Sequence, residues 1–543
     1  MSTAPEPVTR TPRQPMSTNP ASHRRRWWAL AALCISVLLV GIDNTIVNVA
    51  LPTIGRELDA STSDLQWVVD GYTLVFATLL LLAGHLGDRF GRRRMLLAGL
   101  LLFGLTSVAA SFATSTAGLI AGRAAMGVGA ALIFPATLAL LMSLFPDRRE
   151  RAAAIGIWSG ITGLSVALGP VGGGLLVEHF SWSAVFLVNV PLVVIAVVAI
   201  RLLVPESRDP HPGRFDPLGT VGSMVGVGLL VWTIIEAPGH GWGSTVTIAG
   251  LLGSAAALGA FVWWEVRRTD PLFDVTLFSN ARFSAASAAI AAAFFGLFGF
   301  IFLITQYFQI VRNYGVLEAG VATLPFALVI GALSPVAIML MKRFGTTAVV
   351  ASGLALMSAG FVLAAGSDVD SAYWGRIVVS MTLMAAGLAL TSGPATEAIM
   401  GALPPSRTGA GSAVNDTTRE IGGTLGVAIV GSVMNSIYGS RLIDALSSTT
   451  LSADATQAAS RSVTAGYQAA ALVPPTEAAS VTNATAQAFI SGLSAGSWVA
   501  AGATGIAAIA VLIWLPARQL TGTAVVAGAA SGPTVDPALP LSS

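Results

Sequence analysis

Gly84-His85-Leu86-Gly87-Asp88-Arg89-Phe90-Gly91-Arg92-Arg93-Arg94 lies between two long apolar runs and decides how the rest of the chain reads. It packs five charges into eleven residues of a chain that is only 10% charged. Arginines beside a hydrophobic segment hold that end on the cytoplasmic side of a membrane. The glycines let two helices meet through a tight turn, and Asp88 is placed to accept hydrogen bonds from exposed amides or to pair with an arginine. A topological anchor needs arginines. It does not need Asp-Arg-x-Gly at a fixed distance from Gly-x-Leu.

Composition agrees with a membrane. The 543 residues are 54% hydrophobic with a mean hydropathy of +0.75, against about 45–50% apolar and 25% charged in soluble domains. Of 29 basic residues 28 are arginine and one is Lys342, and alanine and glycine abound, a codon signature of a high-GC bacterium. A net charge of +2 implies no bulk attraction to nucleic acid. The single cysteine, Cys34, sits in an apolar run, which excludes disulfides and thiolate metal sites. The histidines (23, 85, 179, 211 and 240) are scattered across loops without metal-ligand spacing, and no Gly-x4-Gly-Lys-Ser/Thr nucleotide loop occurs. The expectation is no metal, no cofactor and no nucleotide.

A span needs about 20 mostly apolar residues. Fourteen segments qualify: 27–52, 65–86, 95–113, 117–144, 152–177, 183–203, 218–235, 245–265, 283–310, 317–340, 347–366, 373–400, 409–437 and 497–516. With the N-terminus inside, 22 basic residues fall inside and four outside (Arg56, Arg312, Arg441 and Arg461), which places both termini in the cytoplasm. Residues 1–23, rich in Pro, Ser and Thr, read as a disordered tail, and 521–543 as a cytoplasmic tail. The run after Arg24-Arg25-Arg26 is too long for a signal-peptide core and reads as a retained helix. An internal echo divides the rest. Pro135-Ala136-Thr137 with Pro146 and Arg148 recurs 259 residues on as Pro394-Ala395-Thr396 with Pro405 and Arg407, and Arg89-Phe90-Gly91 is echoed by Arg343-Phe344-Gly345. This divides the chain into a six-helix half over 24–204, two inserted helices over 205–270, and a second half over 271–520. The external loop 438–496, rich in Ala, Ser and Thr, reads as partly helical.

Gly-x-Leu-x-Asp-Arg-x-Gly-Arg-Arg at 84–93 resembles the loop between the second and third helices of the major facilitator superfamily. The first span, Gly41-Ile42-Asp43-Asn44-Thr45-Ile46-Val47-Asn48-Val49-Ala50-Leu51-Pro52, resembles that of its fourteen-span drug:proton antiporters. Gly169-Pro170-Val171-Gly172-Gly173-Gly174 is similar to the antiporter motif of the exporter branches, which uptake members generally lack. Trp182–Pro191, and Gln306-Tyr307-Phe308-Gln309 followed by Ala319-Gly320-x4-Pro325, are in the manner of the same branch. Two departures stand out: Met126 replaces a frequent Gln beside Arg123, and Ser183 a frequent basic residue. The resemblance covers about 27–520. It implies an all-α integral membrane protein with the major facilitator fold and fourteen transmembrane helices. It also implies a monomeric, non-enzymatic, proton-coupled exporter of amphipathic or cationic small molecules in the bacterial cytoplasmic membrane.

Charges inside spans are costly and mark function by default. Asp43 has no Lys or Arg within a helical turn, and a buried carboxylate can exchange protons as water access alternates. Asp70 matches an acidic position of the second helix and lies nearer the outer edge, where water can solvate it. Arg123 is placed to hold the deprotonated form of either aspartate and to release it on protonation. Gly169, Pro170, Gly172 and Gly173 read as a hinge, since glycine and proline weaken and bend a helix but allow close packing in a membrane. In span 13, Asp416, Arg419 and Glu420 share one face, with Glu397 a candidate to complete the cluster. A network bracing the cytoplasmic gate and a second proton or cation site fit this cluster equally. Tyr72, Phe302, Gln306 and Asn415 are candidates to line a substrate cavity. Gly84, Asp88, Arg89, Gly91 and Arg92 read as a conformational latch, with Asp88 and Arg92 holding the two halves together on the cytoplasmic side in the outward-open state. Two alternatives remain: an uptake symporter, against which Gly169-Pro170 argues, and a non-transporting sensor, which has no need of buried carboxylates facing a cavity.

Overall fold

The computed structural model describes residues 20–208, 216–268, 271, 274–402 and 408–515; residues 1–19 and 516–543, and Pro405 and Arg407 of the internal echo, lie outside them, and the first helix begins at Pro20, inside the stretch read as a disordered tail. Fourteen long helices appear, written α1–α13 and α16. The first half holds α1 (Pro20–Glu57), α2 (Thr62–Phe90), α3 (Arg92–Ser111), α4 (Thr116–Leu144), α5 (Arg148–His179) and α6 (Ala184–Leu203). The inserted pair is α7 (Pro217–His240) and α8 (Thr245–Arg267). The second half holds α9 (Ala281–Gln306, prolonged by a π-helical turn Tyr307–Val311), α10 (Val316–Phe344), α11 (Thr346–Ala365), α12 (Tyr373–Gly401), α13 (Thr408–Leu446) and α16 (Pro475–Trp514). Among the described residues thirteen of these are long and apolar enough to cross a membrane. The fourteenth is α5.

The boundaries follow local chemistry. Ser61 starts α2 with a capping box: its hydroxyl accepts from the Asp64 amide at 3.1 Å, and the Asp64 carboxylate accepts from the Ser61 amide at 2.9 Å. The loop read as external is mostly helix. α13 runs on to Leu446, and short α14 (Ala453–Arg461) and α15 (Val463–Ala469) follow, each capped by a serine, Ser452 and Ser462. Alanine-rich sequence favours helix wherever a cap is supplied.

The two halves share one packing scheme. α1 lies on α5 and α6, α2 on α4, and α3 on α4 and α6; eight helices later α9 lies on α13 and α16, α10 on α12, and α11 on α12 and α16. The Arg-Phe-Gly echo is structural as well. Gly91 (φ +109°) and Gly345 (φ +87°) each make the tight turn after the second helix of a half, in a backbone region that disfavours side chains. A Cβ on Gly91 would also lie 2.9 Å from the Glu206 carboxylate. Gly91→Ala is expected to destabilise the protein by about 1–3 kcal/mol, seen as a lower thermal midpoint in detergent, while alanine at Gly172, which faces open space, leaves it unchanged.

The halves meet along two seams, α2 with α13 and α5 with α10. Gln66 donates to the Val427 and Ala428 carbonyls at 3.2 and 3.1 Å, Thr424 donates to Thr73 at 3.1 Å, and Gln309 donates to the Val49 carbonyl at 2.7 Å. These bonds lie in the half of the membrane away from the Gly84–Arg94 loop. The structure is thus closed on the face opposite that loop. The inserted helices pack on each other and α7 rests on both α2 and α13, fastened by Trp67 to Glu236 (3.1 Å) and by Trp242 to Ser436 (3.0 Å).

Candidate functional site

Four helices of the first half converge on Asp43. Arg123 of α4 donates through Nη1 to Asp43 Oδ2 at 2.5 Å, and both side chains are fully buried. Its Nε donates to the Val68 carbonyl at 3.0 Å, and its guanidinium carbon lies 4.2 Å from the centre of the Tyr72 ring. The other carboxylate oxygen, Oδ1, accepts from Asn189 Nδ2 at 2.9 Å. That amide also donates to Ser107 Oγ at 3.0 Å, and Ser107 in turn donates to the Phe186 carbonyl at 2.8 Å. The carboxylate is therefore held from both sides.

A buried ion pair stands or falls as a pair, since removing one partner costs about 3–5 kcal/mol by stranding the other charge. Arg123 Nη2, Asn189 Oδ1 and the Tyr72 hydroxyl have no hydrogen-bond partner here. Spare donors and acceptors therefore sit around the one carboxylate. Asn189 carries little signal in the sequence. The only signal was a carboxamide in a span with few polar groups. Asn189→Leu keeps the helix apolar but removes a hydrogen bond to a charged group, about 1.5–3 kcal/mol. Transport rate is expected to fall roughly 10- to 150-fold at unchanged expression, measured as gradient-driven flux in vesicles.

Asp70 is placed differently from its expectation. It is fully buried rather than solvated, because α13 of the other half covers α2. Arg123 does not reach it; Oδ1 accepts from Thr73 Oγ1 at 3.3 Å and Oδ2 has no partner. Tyr72 is buried beneath Arg123 rather than lining an open cavity. In span 13, Asp416 and Arg419 pair at 3.8 Å, Asn415 donates to Asp416 at 3.2 Å, and Thr396 donates to Asn415 at 3.2 Å. Glu420 Oε2 is buried without a partner. Glu397 does not complete this cluster: its side chain is exposed. Phe302 and Gln306 are buried, Gln306 donating to the Phe302 carbonyl at 3.0 Å. Neither lines the small cavity of the second half, whose walls include Phe300, Leu303, Tyr307, Phe361 and Ser497. His85, His179 and His240, expected in loops, lie at helix ends, each ring bonded to the carbonyl four residues back.

The Gly-Pro element of α5 makes two contacts. A Cβ on Gly169 would collide with Thr45 of α1, and one on Gly173 would lie 2.8 Å from Ile46 Cγ1, so these glycines seat α5 on α1. Pro170 receives Gly320 of α10, whose absent Cβ would meet the Pro170 carbonyl. Gly174, not Gly172, faces the other half: its Cβ would lie 2.7 Å from Leu317 Cα. Beside it, Glu178 accepts from the Leu317 amide at 3.1 Å.

Compared with known proteins, residues 33–427 match the model of the Major Facilitator Superfamily. The chain belongs to the major facilitator superfamily. Within it, the chain is 36% identical over 479 residues to the multidrug efflux pump LfrA of Mycolicibacterium smegmatis, covering 88% of this chain and 94% of LfrA. It is 35% identical over 418 residues to the tetracenomycin C resistance and export protein of Streptomyces glaucescens, covering 76% and 77%. Among solved structures it is similar to an inward-facing bacterial homologue of the lysosomal transporter Spinster, with a TM-score of 0.63 at 19% identity, covering 90% of this chain and 98% of that one. The last likeness concerns the fold alone.

The superfamily loop Gly84–Arg94 is held by its own half. Arg92 pairs with Asp88 at 2.8 Å and its amide donates to the Ser207 carbonyl at 2.8 Å. The Arg93 amide donates to Glu206 at 3.0 Å, and its side chain to the Val204 carbonyl at 3.1 Å. A latch between halves is expected in the outward-open state; in this conformation Asp88 and Arg92 pair with each other. Asp88 and Arg92 clamp the α2–α3 turn onto residues 204–207, and Arg89 stacks on Phe90 at 5.6 Å.

Proposed function

We propose that this protein is a proton-coupled antiporter that exports small amphipathic or cationic compounds across the bacterial cytoplasmic membrane. The observation that carries it is the fully buried Asp43–Arg123 pair, with Asn189 on the second carboxylate oxygen. The names of the relatives, efflux and resistance proteins, support the substrate class and the outward direction. In this reading the arginine-rich face is cytoplasmic with both termini, so the structure is closed to the outside. The chain acts as a monomer in lipid, with protons and one small molecule as its only partners and with no cofactor.

The cycle follows from charge. With Asp43 ionised, Arg123 is neutralised and the first half is stable as it stands. A proton arriving on Asp43 removes that charge, and the guanidinium must find other partners, shifting α4 against α1 and α2. Each proton returning through 100 mV supplies about 2.3 kcal/mol. Inverted vesicles loaded with the protein, energised by a proton gradient and offered a cationic dye, test the proposal. Dye accumulation that collapses with a protonophore is expected. Accumulation that ignores the gradient, or none across a broad set of amphiphiles, rules the reading out.

A further inference from the structure

Where α13 faces the first half, one arginine is held oddly. The Arg419 guanidinium carbon lies 4.5 Å from the centre of the Phe294 ring of α9. Its closest carboxylate, Asp416, is 3.8 Å away, an ion-pair distance too long for a hydrogen bond. Both side chains are partly exposed. One position on, Glu420 has a buried oxygen with no partner. Glu420 is one turn from Thr424, which bonds Thr73 of the other half, and it lies close enough to Tyr72 to act on it electrostatically. The Tyr72 hydroxyl is fully buried and has no partner, and the Thr417 hydroxyl is buried and unpartnered too. An aromatic face and a carboxylate thus flank a loosely held cation, with an unpartnered carboxylate oxygen on the next residue.

We propose that Phe294, Asp416 and Glu420 form the subsite for the charged group of an exported lipophilic organic cation, and that Arg419 is a tethered stand-in which the substrate displaces. This rests on the export reading above. In ionised form the two carboxylates face one guanidinium, leaving room for one further positive charge. A delocalised cation suits the ring, because the attraction to an aromatic face grows when water is excluded. Arg419 is well suited to yield: it is partly exposed, so it regains hydration when it swings off the ring. The place also fits a transport site, lying on the seam between the halves just inside the contacts that close the opposite face.

The test is binding of tetraphenylphosphonium to the purified full-length protein, with the neutral dye Nile red as the uncharged control. Arg419→Gln removes the competitor and is expected to tighten tetraphenylphosphonium about tenfold, whereas Phe294→Leu and Glu420→Gln each weaken it about tenfold. Nile red affinity stays within about twofold throughout, since no charge is involved. Arg419→Lys, which keeps the charge but lies less well on a ring, falls between wild type and Arg419→Gln; it carries the test if the glutamine variant does not fold. Unchanged or weaker tetraphenylphosphonium binding in folded Arg419 variants overturns the proposal, as does a parallel loss of Nile red. If wild-type vesicles export tetraphenylphosphonium and Phe294→Leu and Glu420→Gln leave that flux untouched, this subsite is wrong and the export reading stands. If the binding pattern holds but no gradient-driven flux exists, the export reading falls instead.

Discussion

Asp43→Asn is expected to abolish proton-driven flux, by at least about 100-fold, because the amide keeps the shape of the carboxylate but cannot take up a proton. The same change leaves Arg123 buried without a counter-ion, which costs about 3–5 kcal/mol and lowers the thermal midpoint. The two effects separate in the double variant Asp43→Asn/Arg123→Gln. There the stranded charge is gone, so stability returns toward wild type while flux stays absent. Thermal unfolding in detergent and dye flux in inverted vesicles read the two quantities independently. Flux that recovers along with stability would show that the pair only holds the fold together. The structure predicts recovery of stability alone, since among the described residues Asp43 is the one carboxylate Arg123 meets.

The second large effect concerns closure of the opposite face. There Gly174 lies against Leu317 and Gly320 against Pro170, in each case glycine against backbone. Backbone cannot swing aside, so Gly174→Val or Gly320→Val overpacks the seam by about 1–3 kcal/mol, shifting the closed state by roughly 5- to 150-fold. Transport is expected to fall while the protein still folds, because the penalty exists only in this conformation. A cysteine placed at Gln66, in a background where Cys34 is serine, reports the shift. Water-soluble maleimide is expected to label it slowly in the parent and quickly in the valine variants. Equal labelling in both would mean that the α5–α10 seam is not what closes this face.

Much of this was legible in the chain. A charge in an apolar run is visible at once, so Asp43 and Arg123 stood out and the structure joins them. The repeat was visible because tight turns demand glycine, and Gly91 and Gly345 share the same unusual backbone. What was not legible depends on distant segments. Asp70 read as solvated because nothing in α2 reveals that α13 covers it. Asn189 was passed over because its partner lies 146 residues away. In Gly172-Gly173-Gly174 every face of α5 carries a glycine, and only the position of α10 selects Gly174. The loop at 84–94 announced a clamp, but its nearest partner, residues 204–207, is an undistinguished stretch after α6.

The inserted helices carry a mechanical consequence. Two halves built alike would rock about their shared axis with equal flanks, yet the inserted pair is fastened to α2 by Glu236 on Trp67 and to α13 by Trp242, in the turn after α7, on Ser436. On that flank the halves are sheathed by a third body that grips both of them. Among the described residues the α5–α10 flank has no such cover. Any rocking therefore shears one of the two tryptophan attachments while the bare flank moves freely, and the molecule, though assembled from a repeat, works as a lopsided machine.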